Sequence, residues 1–471
     1  MTAAAQSLPL SASALLSDAL PLALALALPL AIAAWLRIRA LRGIARDPDV
    51  AWFGYARTAQ WVIIGGWLSW FAALSPSPLL RDLFPAFARA GLPVATALLC
   101  LLCAVPPALL SLAIQALVHD VRRRASATTL TLAEALGVTA WQMAAGLIPL
   151  SFIVMGAVAL MWRQPGLGIA GLFGALLSRL WLLRRALDVL GTVPQAVTSG
   201  PLRDRIFELA SRAGVRLKQI YLMPMARIQG ANAFAISNGT VMLTDVLLEQ
   251  LSEREVVAIM AHEITHLRLK HPKRIAQTGL FVLISTLLPC QFLALKHLVP
   301  SVIAVIVPVF CCLFATLLAR RRFEFEADAG AAELSSDPQA LITGLTRISA
   351  LNHMPMHWGP WAERSLTHPS TRRRIVRIAE RAKLEPAEVE RLISAPPAAA
   401  PHFEISPALA AGRLFSSRWK MRVSANLTLL LIAIQAGIPA LVVRMSYELN
   451  SPFHSRPLVL LAATVIAALA M

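Results

Sequence analysis

Apolar runs long enough to cross a bilayer recur along most of this chain, and they restrict its fold more than any other feature. A helix needs about 20 apolar residues to span the hydrocarbon core. By that length criterion five runs fall at roughly 16–36, 58–76, 91–117, 141–162 and 167–183. Two follow at roughly 276–296 and 300–319, and a last pair at roughly 424–443 and 455–471. The final run is short enough to lie in the interface instead. With 57% hydrophobic residues, 15% charged residues and a mean hydropathy of +0.63, the chain is composed as a multi-span membrane protein rather than a set of soluble domains.

The net charge of +18 raises the question of a nucleic-acid partner. Most basic residues, however, sit at the ends of apolar runs, as in Arg37/Arg39/Arg42, Arg122/Arg123/Arg124, Arg184/Arg185 and Arg320/Arg321/Arg322. This is the positive-inside pattern. No recognition motif or stacking platform accompanies the charge, so the expected partner is the lipid bilayer and not nucleic acid. The clusters follow the first, third, fifth and seventh runs, which places the N-terminus outside and both long polar segments in the cytoplasm. The Ala-, Leu- and Arg-rich composition is compatible with a bacterial chain, and hence with an inner membrane. Cys100, Cys103, Cys290, Cys311 and Cys312 all lie within apolar runs and fit neither a disulfide framework nor a zinc knuckle. No basic region precedes the first run, so it reads as a retained span and not a cleaved signal peptide.

Five parts result: 1–199 with about five spans, a polar segment at 200–275, two spans within 276–319, a polar segment at 320–421, and a C-terminal pair in 422–471. In the first polar segment Pro201 opens an amphipathic helix that Gly214 ends. Gln219 to Met223 reads as a strand, and Asn232–Ile236 with Thr240–Leu243 as a hairpin around Ser237-Asn238-Gly239. Ser252 and Glu255 form a capping-box pattern that starts a helix running to about Lys270, where Pro272 limits it. The second polar segment is largely helical, with Ala395 to Pro401 as a linker.

That capped helix carries His262-Glu263-Ile264-Thr265-His266. At 3.6 residues per turn, positions four apart lie about 40° from one another, so both imidazoles can reach one metal. Glu263 lies about 60° from His266 around the axis, close enough to address a metal-bound water. Two imidazoles with an open position are what a catalytic zinc requires. Chance yields such a short motif in roughly one comparable chain in a hundred, but here it sits on a helix with an apolar face of Val256, Met260, Ile264 and Leu267.

A third ligand is still needed. His271 is five residues past His266, off the ligand face and before a proline. Arg322-Phe-Glu-Phe-Glu-Ala-Asp328 suits better, because Glu324 and Asp328 share a helix face while Glu326 points nearly opposite. Glu324 as ligand, with Asp328 behind a ligating imidazole, is favoured over a solvated acidic face. His353-Met-Pro-Met-His357 also has two histidines four apart, but Pro355 breaks the shared face and the stretch reads as a loop.

Together these motifs resemble the peptidase family of the heat-shock protease HtpX and the CAAX prenyl protease, integral-membrane gluzincins with H-E-x-x-H and a downstream E-x-x-x-D. Asn232-Ala-Phe-Ala235 resembles the family's N-A-F-A edge strand, and Leu366-Thr-His-Pro-Ser-Thr-Arg-Arg-Arg-Ile375 its H-P-x-x-x-x-R-[IL] element. The resemblance covers roughly Gly200 to Glu380. It implies a mostly α membrane protein, in which a multi-span helical bundle carries a gluzincin-type α+β zinc peptidase domain with a small β-sheet. One Zn2+ would be held by His262, His266 and Glu324, with Asp328 behind them and Glu263 as general base. Asn232, Ala233, Phe234 and Ala235 would hold substrate backbone by strand addition, and His368 and Arg374 would help stabilise the oxyanion. The nine expected spans exceed those of the best-known members, and the C-terminal pair has no counterpart to assign.

The activity implied is hydrolysis of peptide bonds in membrane or membrane-proximal proteins, with quality control of damaged chains as the first reading. Processing of a lipid-modified or signalling peptide is the second. A non-catalytic zinc-containing scaffold is the reading from another class, and an intact Glu263 argues against it, since a structural zinc site has no use for that carboxylate. A transporter is disfavoured because the spans are nearly free of acids. The sequence carries no signal for oligomeric state.

Overall fold

The computed structural model describes residues 12–74, 90, 92–125, 128–161, 164–190, 194–226, 230–236, 239–295, 301–359, 363, 366–394 and 402–403. Five long helices come first: α1 (Ala12–Ile44), α2 (Pro48–Leu74), α3 (Pro93–Arg124), α4 (Leu132–Met161) and α5 (Pro165–Leu190). Among the described residues, four helices are long and apolar enough to cross a membrane: Ala19–Ile44, Pro93–Arg124, Leu132–Gly156 and Pro165–Leu182. Helix α2 stands where a further span was expected, but it is rich in Trp and carries Arg57 and Gln60, which lower its apolarity. The expected runs at 424–443 and 455–471 lie outside the described residues.

The apolar helices leave Leu24, Leu28, Leu98, Leu102, Phe173 and Leu177 exposed at four-residue spacing. Such stripes are the surface that lipid covers. Inside this bundle Trp67 donates to Ser111 Oγ and Trp70 to the Cys103 carbonyl, each at 2.9 Å. Both indoles can therefore be buried without leaving a donor unpaired.

After a two-residue strand β1 (Gln195–Ala196), helix α6 (Pro201–Arg212) begins with proline at its first turn and ends before Gly214, which adopts φ +67°. Strands β2 (Gln219–Met223), β3 (Ala233–Ile236) and β4 (Thr240–Thr244) follow, giving a sheet of order β1-β2-β4-β3. β4 is buried along its whole length, parallel to β2 and antiparallel to β3, which leaves β3 at the edge. β2 has the expected bounds and β3 and β4 each differ from them by one residue, Ser237 and Asn238 of the expected turn lie outside the described residues, and β1 and the short helix α7 (Asp245–Gln250) were not foreseen.

Helix α8 (Glu253–Arg268) carries the His-Glu pair. Its start is fixed by a complete capping box, with Ser252 N and Oγ each 2.8 Å from Glu255 Oε2, and Arg347 lies 2.7 Å from the same oxygen. Val256, Met260 and Ile264 are fully buried, each burial contributing roughly 1.5–3 kcal/mol. Helices α9 (His271–Leu295) and α10 (Ser301–Ser335) form a long antiparallel pair, followed by α11 (Pro338–Leu351), α12 (Thr371–Ala382) and α13 (Pro386–Ser394). One apolar core joins the sheet and α8 to Ala331, Leu334, Leu341 and Ile375, so the segments before and after the α9–α10 pair fold as one body.

Gly330 sets how closely α10 meets α8. A Cβ there would lie 2.6 Å from Thr265 Cγ2 and 2.8 Å from Arg268 Nη2. The close approach brings the acidic face of α10 over the imidazoles of α8.

Candidate active site

His262 and His266 project from one face of α8 with their Nε2 atoms 3.0 Å apart. Opposite them, Glu324 Oε2 lies 3.5 Å from His262 Nε2 and Glu324 Oε1 lies 3.6 Å from His266 Nε2. These three residues are the group whose donor atoms converge within 4.8 Å, the arrangement of a metal site. Glu324 Oε2 is fully buried and has no well-aligned hydrogen bond, although His368 Nδ1 comes within 3.0 Å of it. Two imidazole nitrogens and a buried carboxylate without a well-aligned hydrogen bond on Oε2, converging on one point, make a donor set that suits a metal cation, so the residues fit the metal that the motif implies.

The electrostatics agree with ligation at Glu324 and His266 but not at His262, which burial lowers but the Asp328 and Glu324 carboxylates push up to about 10, so that a metal there would displace a proton. Burial works to raise the Glu324 carboxyl, but the Arg374 guanidinium and the His262 and His368 contacts hold it well below the usual carboxylate range. Burial, then the facing His262, pushes His266 down to about 3, which keeps its ring neutral. Ligating imidazole must be neutral and ligating carboxylate ionised.

Glu263, 8% exposed, is pushed up to about 7 by burial, against the lowering influence of His262 and of a hydrogen bond from the Ala235 amide. A carboxyl poised near neutrality can both take and return a proton. The Ala235 contact also places the edge strand against the site. Asn232 exchanges bonds with Thr244 of β4, its amide donating to Thr244 Oγ1 and its carbonyl accepting from the Thr244 amide, both at 3.0 Å. By antiparallel alternation Phe234 also faces β4, while Ala233 and Ala235 turn their backbone groups outward. Asn232 Oδ1 accepts the Ala233 amide at 2.9 Å.

Behind His262, Asp328 Oδ1 lies 3.0 Å from Nδ1. Arg374 grips Asp328 through Nη2 at 2.6 Å and Nε at 2.8 Å, and its Nη1 lies 3.3 Å from Glu324 Oε2. His368 is 55% exposed on the loop before α12. The structure thus gathers His262, Glu263, His266, Glu324, Asp328, His368 and Arg374 at one centre, with Asn232 to Ala235 along its side. Sequence reasoning missed one neighbour: His271 is not a ligand, yet its Nδ1 lies 2.9 Å from His266 Nδ1. His353 and His357 lie apart from the centre, and His353 Nδ1 instead meets Asp49 Oδ1 at 2.5 Å.

Residues 197–382, which contain every one of the site residues, match the profile of peptidase family M48. A protease HtpX homolog of Paraburkholderia phytofirmans is 30% identical over 222 residues, covering 40% of this chain and 76% of that protein. The chain belongs to peptidase family M48. Another HtpX homolog, from Ralstonia pickettii, is 28% identical to this M48 chain over 288 residues, covering 50% of it and 96% of the homolog. A crystal structure of S. mikatae Ste24p superposes with a TM-score of 0.49 at 16% identity, over 76% of this chain and 98% of that one. The expected family is therefore borne out. As an M48 peptidase the chain is a metalloprotease that hydrolyses a peptide or protein substrate, and its apolar helices make it an integral membrane protein.

Proposed function

We propose that this M48 chain is a zinc endopeptidase that cuts membrane or membrane-proximal proteins at the cytoplasmic face of a bacterial inner membrane, in the quality control of damaged chains. The observation that carries the reading is the convergence of His262, His266 and Glu324 beside a buried Glu263 that touches the edge strand at Ala235. His262, His266 and Glu324 would hold one zinc. The chemistry that a bound zinc supplies is Lewis-acid polarisation of a carbonyl and a water that is nucleophilic near neutral pH.

The remaining steps belong to side chains and backbone. The Ala233 backbone groups and the Ala235 carbonyl face outward toward an extended substrate, which would pair with β3 as an added strand, while the Ala235 amide is turned to Glu263. Glu263 takes the proton of the attacking water and returns it to the leaving nitrogen. His368, exposed beside Glu324 with Nδ1 turned to that carboxylate, would donate to the oxyanion through Nε2. Arg374 is better read as a holder of carboxylates. Its Nε and both Nη nitrogens already face Asp328 and Glu324, which narrows the expected oxyanion role to His368.

The cytoplasmic side is supported by a contact between the two bodies of the chain. His353 meets Asp49 at the start of α2, Phe53 packs on Trp358 at 4.9 Å, and Arg57 lies over the same indole. The peptidase body therefore sits at the end of α1 that carries Arg37, Arg39 and Arg42, and the basic end is the cytoplasmic one. Sealed membrane vesicles of both orientations test the placement. A membrane-impermeant peptide is expected to be cut by inside-out vesicles and spared by right-side-out ones. The opposite result would put the site on the other face.

A further inference from the structure

His271 returns to the site by way of the turn between two helices. Helix α8 ends at Arg268, Lys270 adopts φ +56°, and α9 begins at His271. The reversal folds the His271 ring, 0% exposed, back against His266. Both ring nitrogens are engaged, Nδ1 by His266 Nδ1 at 2.9 Å and Nε2 by Glu326 Oε2 at 3.2 Å. Phe323 stacks on the ring, with centroids 4.4 Å apart and planes 6° from parallel. Glu326 is in turn held by Arg322 at 3.0 Å and Arg274 at 3.4 Å, and the Arg274 guanidinium lies 4.3 Å from the Phe323 centroid.

We propose that His271 and Glu326 form an orienting relay for His266, as Asp328 does for His262. The inference deepens the metal-centre reading and rests on it. His266 turns Nε2 toward His262 and Glu324, so in its neutral form the proton sits on Nδ1. That N–H donates to His271 Nδ1, which leaves the His271 proton on Nε2, where it donates to Glu326. One proton on each ring satisfies every contact, and no other neutral arrangement leaves His266 Nε2 free for a metal. Each ligating imidazole then has its Nδ1 fixed, one by a carboxylate and the other by an imidazole backed by a carboxylate. His271 and Glu326 are positioning residues, acting on the metal only through His266.

Zinc affinity of the full-length protein in detergent tests the relay, measured on zinc-free samples by competition with a chromogenic chelator. His271→Phe keeps a ring against Phe323 but offers no acceptor, and should weaken zinc binding about 10–100-fold. His271→Asn places an acceptor oxygen near the position of Nδ1 and should recover most of that loss. Glu326→Ala should weaken binding in the same sense but less. The visible spectrum of bound Co2+ should shift in His271→Phe and return toward wild type in His271→Asn. Affinity of His271→Phe within about twofold of wild type would overturn the relay, as would an Asn variant no better than Phe. Should His271→Phe fail to fold, Glu326→Ala decides, because Glu326 is 31% exposed; unchanged zinc affinity there overturns the proposal. Wild type that takes up no zinc would sink the metal centre itself, whereas zinc-loaded wild type with insensitive variants sinks only the relay.

Discussion

Arg374 closes a bidentate pair on Asp328, with Nη2 to Oδ1 at 2.6 Å and Nε to Oδ2 at 2.8 Å, directly behind the His262 ring. Arginine is 9% exposed and the aspartate 2%, so neither charge has water to fall back on. Removing one member of such a pair strands the other in low dielectric. Arg374→Gln leaves both Asp328 and Glu324 without their guanidinium and should cost about 3–5 kcal/mol. Arg374→Lys keeps the charge but cannot reproduce the planar fork, and should fall between Gln and wild type. Denaturant unfolding in detergent checks the order. A Lys variant as stable as wild type would show that charge alone suffices.

Gly330 offers a test of helix spacing. A methyl group there meets Thr265, which is fully buried, packs in the core and bonds the Ala261 carbonyl at 2.8 Å, so it has little room to yield. Gly330→Ala should cost about 1–3 kcal/mol through overpacking. Because α10 also bears Glu324, zinc affinity should fall with it. Stability and affinity measured on one sample decide whether the two move together.

His368 separates chemistry from architecture. Its side chain is largely exposed, so His368→Ala should fold as wild type does, and because its Nδ1 lies 3.0 Å from Glu324 Oε2 the kinetics are read on zinc-replete protein. Loss of an oxyanion donor should lower kcat by about 10²–10³-fold with little change in KM. Steady-state kinetics on a peptide substrate give both constants. A variant with unchanged kcat would remove His368 from the mechanism.

Much of this site is written in short stretches of sequence. The capping box at Ser252 and Glu255, the four-residue spacing of the histidines, and the strand and hairpin from Gln219 to Leu243 are local patterns, and the structure has them where the patterns fall. What stayed hidden depends on pairing at a distance. β1 is two residues long and exists only because β2 lies beside it. His271 lies off the ligand face and before a proline by sequence, and only the turn at Lys270 shows that its ring comes back against His266. The contact of His353 with Asp49 joins positions in different bodies of the chain, and neither residue has a neighbour in sequence that announces it. The Arg374 fork was legible only as part of a family motif, because its commitment to Asp328 is visible only once α10 and α12 are packed together.

The most direct test is zinc content together with casein cleavage by detergent-purified protein, wild type beside Glu263→Gln. The substitution spares His262, His266 and Glu324 and removes only the group that moves the proton. Zinc near one per chain in both proteins, with cleavage in wild type alone, is the expected result. Near-normal cleavage by zinc-replete Glu263→Gln, or wild type that binds no zinc, would contradict it.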